Sequence, residues 1–334
     1  MRLKENSQEN KKEVKLWQFN WIAISLELMQ KPKVIVICGP TASGKTALSI
    51  ELAKEINGEI ISADSMQIYK DMDIGTAKPT QDEMQGIKHY LIDCVSPDTR
   101  YSVAQYKLDA EKAIEEILKK GKVPIIVGGT GLYIDTLIYG IEYNDIKIDE
   151  EYRAHLEKIA ENQGLEQLYK MAKEIDEQAM SKISENDKKR IMRVLEIYKA
   201  TGKTKTEQEA ESRKNGTKYD YKVFALNMDR EVLYNRINLR VDLMIKNGLI
   251  EEVTKLKEKY DEFPTAMQGL GYKEVVEFIE SNITKEEMIE KIKMETRRYA
   301  KRQLTWFRKN KETIWLDATK EKKYNISEII NYIS

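Results

Sequence analysis

The fold is decided by the stretch Gly39-Pro40-Thr41-Ala42-Ser43-Gly44-Lys45-Thr46, which matches the phosphate-loop pattern G-x-x-x-x-G-K-[ST]. It follows the apolar run from Val34 to Cys38 and precedes apolar residues at helical spacing, so we predict strand, loop and helix in that order. In such a loop, backbone N–H groups and the positive end of the helix bind phosphate, Lys45 adds a cation, and Thr46 can ligate Mg²⁺. The stretch predicts a bound diphosphate or triphosphate but does not identify the reaction.

Length and composition indicate a soluble globular protein. The chain has 334 residues, of which 41% are hydrophobic and 34% charged, and its length is typical of about two domains. The formal net charge of +0 means that any nucleic-acid site must come from local placement of basic residues. No apolar run reaches the roughly 20 residues that span a bilayer. Cys38 and Cys94 lack metal-ligand spacing. We therefore expect reduced thiols and a cytoplasmic protein without membrane contact.

Two further stretches are predicted to face the phosphate loop. Asp64-Ser65-Met66-Gln67 follows a short strand at Ile60 and Ile61, and Gly128-Gly129-Thr130 follows a buried strand from Val123 to Val127. Because the carboxyl ends of neighbouring parallel strands open onto one crevice, both stretches should reach it. Taken alone, Asp64 is equally well explained as a turn or N-cap residue.

Nucleotide hydrolases usually have an acidic residue at the end of an apolar strand, and no apolar run in this sequence clearly ends in one. Asp93, at the end of a third strand predicted over 89–93, is the nearest candidate. The weakness of this feature argues against an ordinary ATPase.

The charge and periodicity of the chain change between residues 141 and 217. Strand patterns disappear there and charged helical periodicities follow one another. We therefore predict an α/β fold, with a parallel sheet flanked by helices as in P-loop NTPases, built from residues 32–140 and 218–334. Residues 141–217 are predicted to form an inserted all-helical domain. We interpret residues 1–31 as an N-terminal extension, either an appended arm or the product of a start assigned too early.

A predicted helix over 291–309 has two contrasting faces. Its apolar face includes Tyr299, Leu304 and Phe307. The opposite face is basic and contains Arg297, Arg298, Lys301, Arg302, Arg308 and Lys309. Such a face is either solvated surface or a contact for an anionic partner.

Five motifs in this order closely resemble the bacterial tRNA dimethylallyltransferase family. They are the phosphate loop, Ser62 to Pro79, Val127 to Tyr133, Gln268 to Lys273, and Tyr299 to Phe307, and the resemblance runs from about Lys33 to Asp317. It implies transfer of a dimethylallyl group from its diphosphate to the N6 amine of the adenosine immediately 3′ of the anticodon, in tRNAs that read codons beginning with U. Pyrophosphate is the leaving group. Because a C–O bond breaks, phosphoryl-transfer machinery is not needed.

The resemblance also implies catalytic roles. Asp64 would be the general base for the amine. Lys45 and the phosphate loop would stabilise the charge that develops on pyrophosphate, with Mg²⁺ held partly by Thr46. Thr41 would form a hydrogen bond in the substrate channel. Arg236 and Arg240 are further candidate contacts for the diphosphate or for RNA.

The implied RNA contacts begin with a flipped base, because a stacked adenosine cannot reach a buried allylic carbon. Asp64, Ser65, Met66 and Gln67 would receive that base, and Thr130 would line the tRNA side. The anticodon stem-loop would be contacted by Arg153, Lys189, Arg190, Ile191, Met192, Arg193, Gln268, Gly271, Tyr272 and Lys273.

Two other functions are compatible with parts of the sequence. A P-loop kinase of a small metabolite or nucleoside would use Asp64 to activate a hydroxyl group and the insertion as a lid. A non-catalytic RNA-binding module would need the basic helices but not an intact phosphate loop. Binding of dimethylallyl diphosphate distinguishes the prenyl transferase from both alternatives. We expect the protein to act as a monomer.

Overall fold

The computed structural model describes residues 31–142, 149–212 and 216–334. The predicted N-terminal extension therefore lies outside the described residues, except for Lys31. Strands within the described part form one parallel six-stranded sheet in the order β3-β2-β4-β1-β5-β6. The strands are β1 (Lys33–Cys38), β2 (Gly58–Ser62), β3 (His89–Tyr90), β4 (Val123–Gly128), β5 (Asp220–Asn227) and β6 (Ile314–Asp317).

The helices alternate with the strands in the core and follow one another in the insertion. They are α1 (Lys45–Glu55), α2 (Gln81–Met84), α3 (Val103–Lys119), α4 (Gly131–Ile138), α5 (Glu150–Gln163), α6 (Leu165–Ile175), α7 (Glu177–Met180), α8 (Lys188–Thr201), α9 (Lys205–Ser212), α10 (Arg230–Lys246), α11 (Leu249–Lys259), α12 (Tyr272–Ile279), α13 (Lys285–Phe307) and α14 (Lys322–Ile333). A 3₁₀ turn covers Ala266–Gln268. The predicted α/β class with a flanked parallel sheet is confirmed.

The central strand β1 is apolar throughout because both faces of the sheet are covered. Val34 and Val36 pack in the cluster that contains α3, whereas Ile35 and Ile37 pack in the cluster that contains α1 and α14. This arrangement places the carboxyl ends of β1, β2 and β4 at one edge, with the phosphate loop directly after β1.

The prediction of a third strand over 89–93 is too long. Only His89 and Tyr90 pair with β2. Leu91 and Asp93 have φ angles of 59° and 55°, and this left-handed backbone turns the chain out of the sheet.

The predicted insertion contains helices α5 to α9, of which α5 to α8 share an apolar cluster of their own. Leu156 and Leu168 are central to that cluster, and Ile191 and Met192 of α8 join it with 0% and 3% exposure. The side chains of Ile191 and Met192 are therefore buried, because their positions on α8 face the neighbouring helices. Contact of these two residues with tRNA stays a prediction.

Helix α13 is longer than predicted, because Thr284 caps its first turn through a hydrogen bond from the Glu287 N–H. It ends at Phe307, so Arg308 and Lys309 lie beyond it. Ile292 and Ala300 are buried on its inner face, which packs against α10. No helix in the described ranges is both long and apolar enough to cross a membrane.

Candidate active site

A cavity of about 380 Å³ lies at the carboxyl edge of the sheet. The phosphate loop, the Asp64-to-Gln67 turn and the Gly128-Gly129 turn all line it, which confirms the convergence that the parallel topology predicted. Helices α10 and α13 close the opposite side, and residues 268–273 complete the wall.

The phosphate loop has the conformation of an anion site. Gly44 takes a φ of 91° and Ala42 a φ of 63°, after which α1 begins at Lys45. Within the described chain, no hydrogen bond uses the backbone N–H of Lys45 or Thr46, as is usual for the first turn of a helix. The buried Ser43 Oγ also has no hydrogen-bond partner there. These unpaired donors suit phosphate oxygens.

Two cationic side chains, Lys45 and Arg240, line the cavity near this loop. Lys45 Nζ donates to the carbonyl oxygens of Gly39 at 3.0 Å and Pro40 at 2.7 Å. Burial, together with the positive charge of Arg240, lowers the pKa of Lys45 to about 8, although Asp64 opposes the change. Burial also lowers the pKa of Arg240, whose Nη2 donates to the Thr76 carbonyl at 3.2 Å. An anionic ligand would stabilise both charges.

Arg236 differs from Arg240 in its position on α10. It is exposed and does not line the cavity, whereas Arg240 does. Its contact with diphosphate or RNA stays a prediction.

The geometry of Asp64 shows the turn role and leaves the role of general base as a prediction. Its Oδ1 accepts the N–H groups of Met66 at 2.9 Å and Gln67 at 3.3 Å, as in a turn. Asp64 also lines the cavity, and no hydrogen bond to its Oδ2 occurs among the described residues. One carboxylate oxygen shapes the turn, and the other accepts no hydrogen bond from the described residues.

The neighbours of Asp64 are fixed from two sides. Thr130 Oγ1 accepts the Ser65 N–H at 3.0 Å. Gln67 Nε2 donates to the carbonyl oxygens of Thr76 and Ala77, each at 3.3 Å. The turn predicted to receive the adenine is thereby held between the Gly-Gly-Thr segment and the segment that contains Thr76.

Gln303 is a site residue that the sequence reasoning missed. Its Oε1 accepts the Thr41 N–H at 2.9 Å and its Nε2 donates to the Gly129 carbonyl at 2.8 Å. It is 6% exposed, and a Cβ at Gly129 would collide with its amide nitrogen. The sequence carried one signal for it, namely a polar residue on the otherwise apolar face of α13. Thr41 itself lines the cavity, and its hydrogen bond to a substrate stays a prediction.

The residues predicted to contact the stem-loop are divided between insertion and core. Lys189 Nζ donates to Gln268 Oε1 at 3.3 Å, so α8 reaches the cavity wall. Arg153 and Arg193 each lie 3.5 Å from a different oxygen of Glu196.

The other protein residues that are predicted to contact the tRNA stem-loop differ in their exposure to solvent. Arg190 is exposed and pairs with Asp187 at 3.4 Å. Gly271 and Lys273 line the cavity. Tyr272 also lines it but is only 1% exposed.

The residues present fit a magnesium ion held chiefly by its ligand. The described residues contain no cluster of three or more His, Cys, Asp or Glu that could hold a metal. Thr46 lines the cavity and is exposed, and Mg²⁺ is commonly held by one or two protein groups together with phosphate oxygens and water. Asp93 does not line the cavity and instead pairs with Lys78.

Fold and site together define a P-loop-like α/β protein, with a parallel sheet flanked by helices and an acidic residue that lines the same cavity as the phosphate loop. Comparison with known proteins makes this more specific. The family model described as IPP transferase matches residues 67–310, well over half of the chain. The chain belongs to the IPP transferase family.

Relatives at the sequence level agree. A tRNA dimethylallyltransferase of Acetivibrio thermocellus is 54% identical over 285 residues, which cover 85% of this chain and 91% of the relative. One from Bacillus mycoides is 48% identical over 305 residues, covering 91% and 95%.

Solved structures agree as well. The crystal structure of a tRNA isopentenylpyrophosphate transferase from Bacillus halodurans has a TM-score of 0.68 at 43% identity, covering 91% of this chain and 96% of the other. A eukaryotic dimethylallyltransferase described as acting on tRNA has a TM-score of 0.71 at 34% identity, with coverage of 86% and 74%.

Proposed function

We propose that this protein transfers a dimethylallyl group from dimethylallyl diphosphate to the N6 amine of the adenosine immediately 3′ of the anticodon, in tRNAs that read codons beginning with U. The observation that carries the proposal is a single cavity lined by both a phosphate loop with unpaired N–H groups and Asp64 with an unbonded oxygen. Family membership and the names of the relatives support the same reaction.

The first half of the reaction concerns the leaving group. The allylic C–O bond breaks and its electron pair goes to the pyrophosphate oxygen. The N–H groups that begin α1, with Lys45 and Arg240, stabilise that charge more as it grows than in the bound diphosphate. Mg²⁺, bound through Thr46 and the phosphates, would add Lewis-acid stabilisation of the same charge.

The second half concerns the nucleophile. The exocyclic amine of adenine is a weak nucleophile because its lone pair is delocalised, and it must lose a proton as the C–N bond forms. Asp64 accepts that proton at Oδ2, while Oδ1 keeps its bonds to Met66 and Gln67. The base must leave its stack to arrive here, and we assign its reception to Ser65, Met66 and Gln67 beside Thr130.

We propose that the stem-loop of the tRNA binds at the mouth of the cavity and against the insertion. Arg153, Lys189, Arg190 and Arg193 provide cations on the insertion, and Lys189 already contacts Gln268 of the core. We further propose that the enzyme acts in the cytoplasm as a monomer.

A transfer assay tests this function. The reaction contains radiolabelled dimethylallyl diphosphate, Mg²⁺ and an unmodified tRNA with adenosine 3′ of the anticodon, and the matched control tRNA carries guanosine at that position. We expect label in the adenosine tRNA only, with no hydrolysis of ATP in a parallel assay. Unlabelled tRNA with rapid ATP turnover would favour the kinase alternative, and tRNA binding without either reaction would favour the RNA-binding module.

A further inference from the structure

One wall of the cavity is a segment without regular strand or helix, residues 72–79. Gly75, Thr76, Ala77 and Pro79 of this segment line the cavity. Its backbone carbonyls also hold two other site residues: the Thr76 oxygen accepts from Arg240 Nη2 and from Gln67 Nε2, and the Ala77 oxygen accepts from Gln67 Nε2. The position of this wall therefore sets the orientation of Arg240 and Gln67.

The wall is fixed from outside the cavity by Glu252 of α11. Glu252 Oε2 accepts the N–H groups of Asp73 at 2.9 Å and Ile74 at 2.7 Å. Its Oε1 accepts the Gly75 N–H at 3.1 Å and the Tyr272 hydroxyl at 2.7 Å. Hydrogen bonds to an ionised carboxylate are stronger than neutral ones, and here four donors converge on one side chain.

Glu252 also joins the wall to the segment that contains residues 268–273. A Cβ at Gly75 would lie only 2.5 Å from the Tyr272 ring, so the wall rests directly on that tyrosine. Lys78 holds the other end of the wall through the Tyr69 carbonyl at 2.9 Å and Asp73 at 2.6 Å. Glu252 therefore connects the wall, through three backbone N–H groups, to the 268–273 segment, through the Tyr272 hydroxyl.

We propose that Glu252 is a positioning residue for the transfer reaction: it fixes the N–H groups of residues 73–75 so that Thr76 and Ala77 orient Arg240 toward the diphosphate and Gln67 toward the adenine. The inference rests on the proposed function, since it assigns those two ligands to the site. Glu252 does not line the cavity, so its effect is transmitted through the wall.

The main test is the variant Glu252→Gln, which keeps the size of the side chain but turns an NH₂ group toward backbone N–H donors. We expect kcat/KM for transfer to fall about tenfold or more, with a higher KM for dimethylallyl diphosphate because Arg240 loses its orientation. Weaker binding of inorganic pyrophosphate and faster amide hydrogen exchange over 73–77 should accompany the loss. Glu252→Asp, which retains the carboxylate, should recover part of the activity and serves if the glutamine variant does not fold.

The matched control is Glu251→Gln, an exposed neighbour on the same helix, which should behave like the wild type. A folded Glu252→Gln protein with wild-type KM, kcat and hydrogen exchange would overturn the proposal. The proposal would also be overturned if kcat/KM of the Glu252→Gln variant fell only in proportion to the fraction of unfolded protein. If the wild type transfers no label, the proposed function fails by itself, and pyrophosphate affinity with hydrogen exchange still decides the role of Glu252.

Discussion

Asp64 divides its carboxylate between structure and chemistry. Oδ1 is committed to the N–H groups of Met66 and Gln67, and Oδ2 has no bond within the described chain. Removing the whole side chain would therefore disturb the turn as well as the reaction. An informative substitution must keep the turn and remove only the acceptor of the proton.

The substitution that does this is Asp64→Asn, whose amide oxygen can replace Oδ1. We expect the rate of transfer to fall by about 10²- to 10⁴-fold, the usual contribution of a general base, while tRNA affinity changes by no more than a few-fold. Single-turnover transfer and filter binding measure the two effects. Equal losses of affinity and rate would contradict the role of Asp64 as base, and Asp64→Ala should lose additional affinity through the broken turn.

At the level of elements, helix α13 links surface and site. Its outer residues Arg298 and Lys301 are exposed, whereas Gln303 on its inner face bonds both to the phosphate loop and to Gly129. The Thr41 N–H is satisfied by this glutamine and so is not among the donors left for phosphate. The helix thereby fixes the shape of the phosphate loop, where we propose that the diphosphate binds.

Replacing Gln303 tests this link. Gln303→Ala removes both hydrogen bonds and leaves the part-buried Thr41 N–H and the buried Gly129 carbonyl unpaired, so we expect KM for dimethylallyl diphosphate to rise about tenfold or more. The affinity for tRNA should change much less. Steady-state kinetics with each substrate varied in turn measure the difference. Thr305→Ala, an exposed change on the same helix, is the control, and an unchanged KM in the Gln303 variant would refute the link.

The sequence predicts elements better than it predicts contacts between them. The strands β1, β2 and β4 follow from apolar runs, and their shared edge follows from parallel topology, so the convergence of Asp64, Thr130 and the phosphate loop is predictable. The bond between Gln303 and Thr41 joins residues 262 positions apart, and no local pattern encodes it. Strand β3 is short because Leu91 and Asp93 have a left-handed backbone, and the sequence does not predict that conformation because neither residue is glycine.

At the scale of the whole molecule, the net charge of +0 conceals an uneven arrangement of cations. Lys189 and Arg190 lie exposed at the start of α8, and Lys189 reaches Gln268 of the core. The insertion and the core thus meet beside the cavity through a basic residue. If a tRNA binds there, these basic residues displace counterions from its phosphates, and the affinity therefore depends on the salt concentration.

Measurement of tRNA affinity across a range of salt concentrations tests this arrangement. We expect the logarithm of the association constant to fall linearly with the logarithm of the salt concentration, because several phosphates are neutralised together. Lys189→Ala should reduce the slope by about 0.7 to 0.9, the value for one lost phosphate contact. Lys170→Ala is the control, since Lys170 is an exposed lysine of the insertion that pairs with Glu166 on its own helix. A flat salt response, or equal slopes for both variants, would mean that the basic start of α8 is solvated surface and that the stem-loop binds elsewhere.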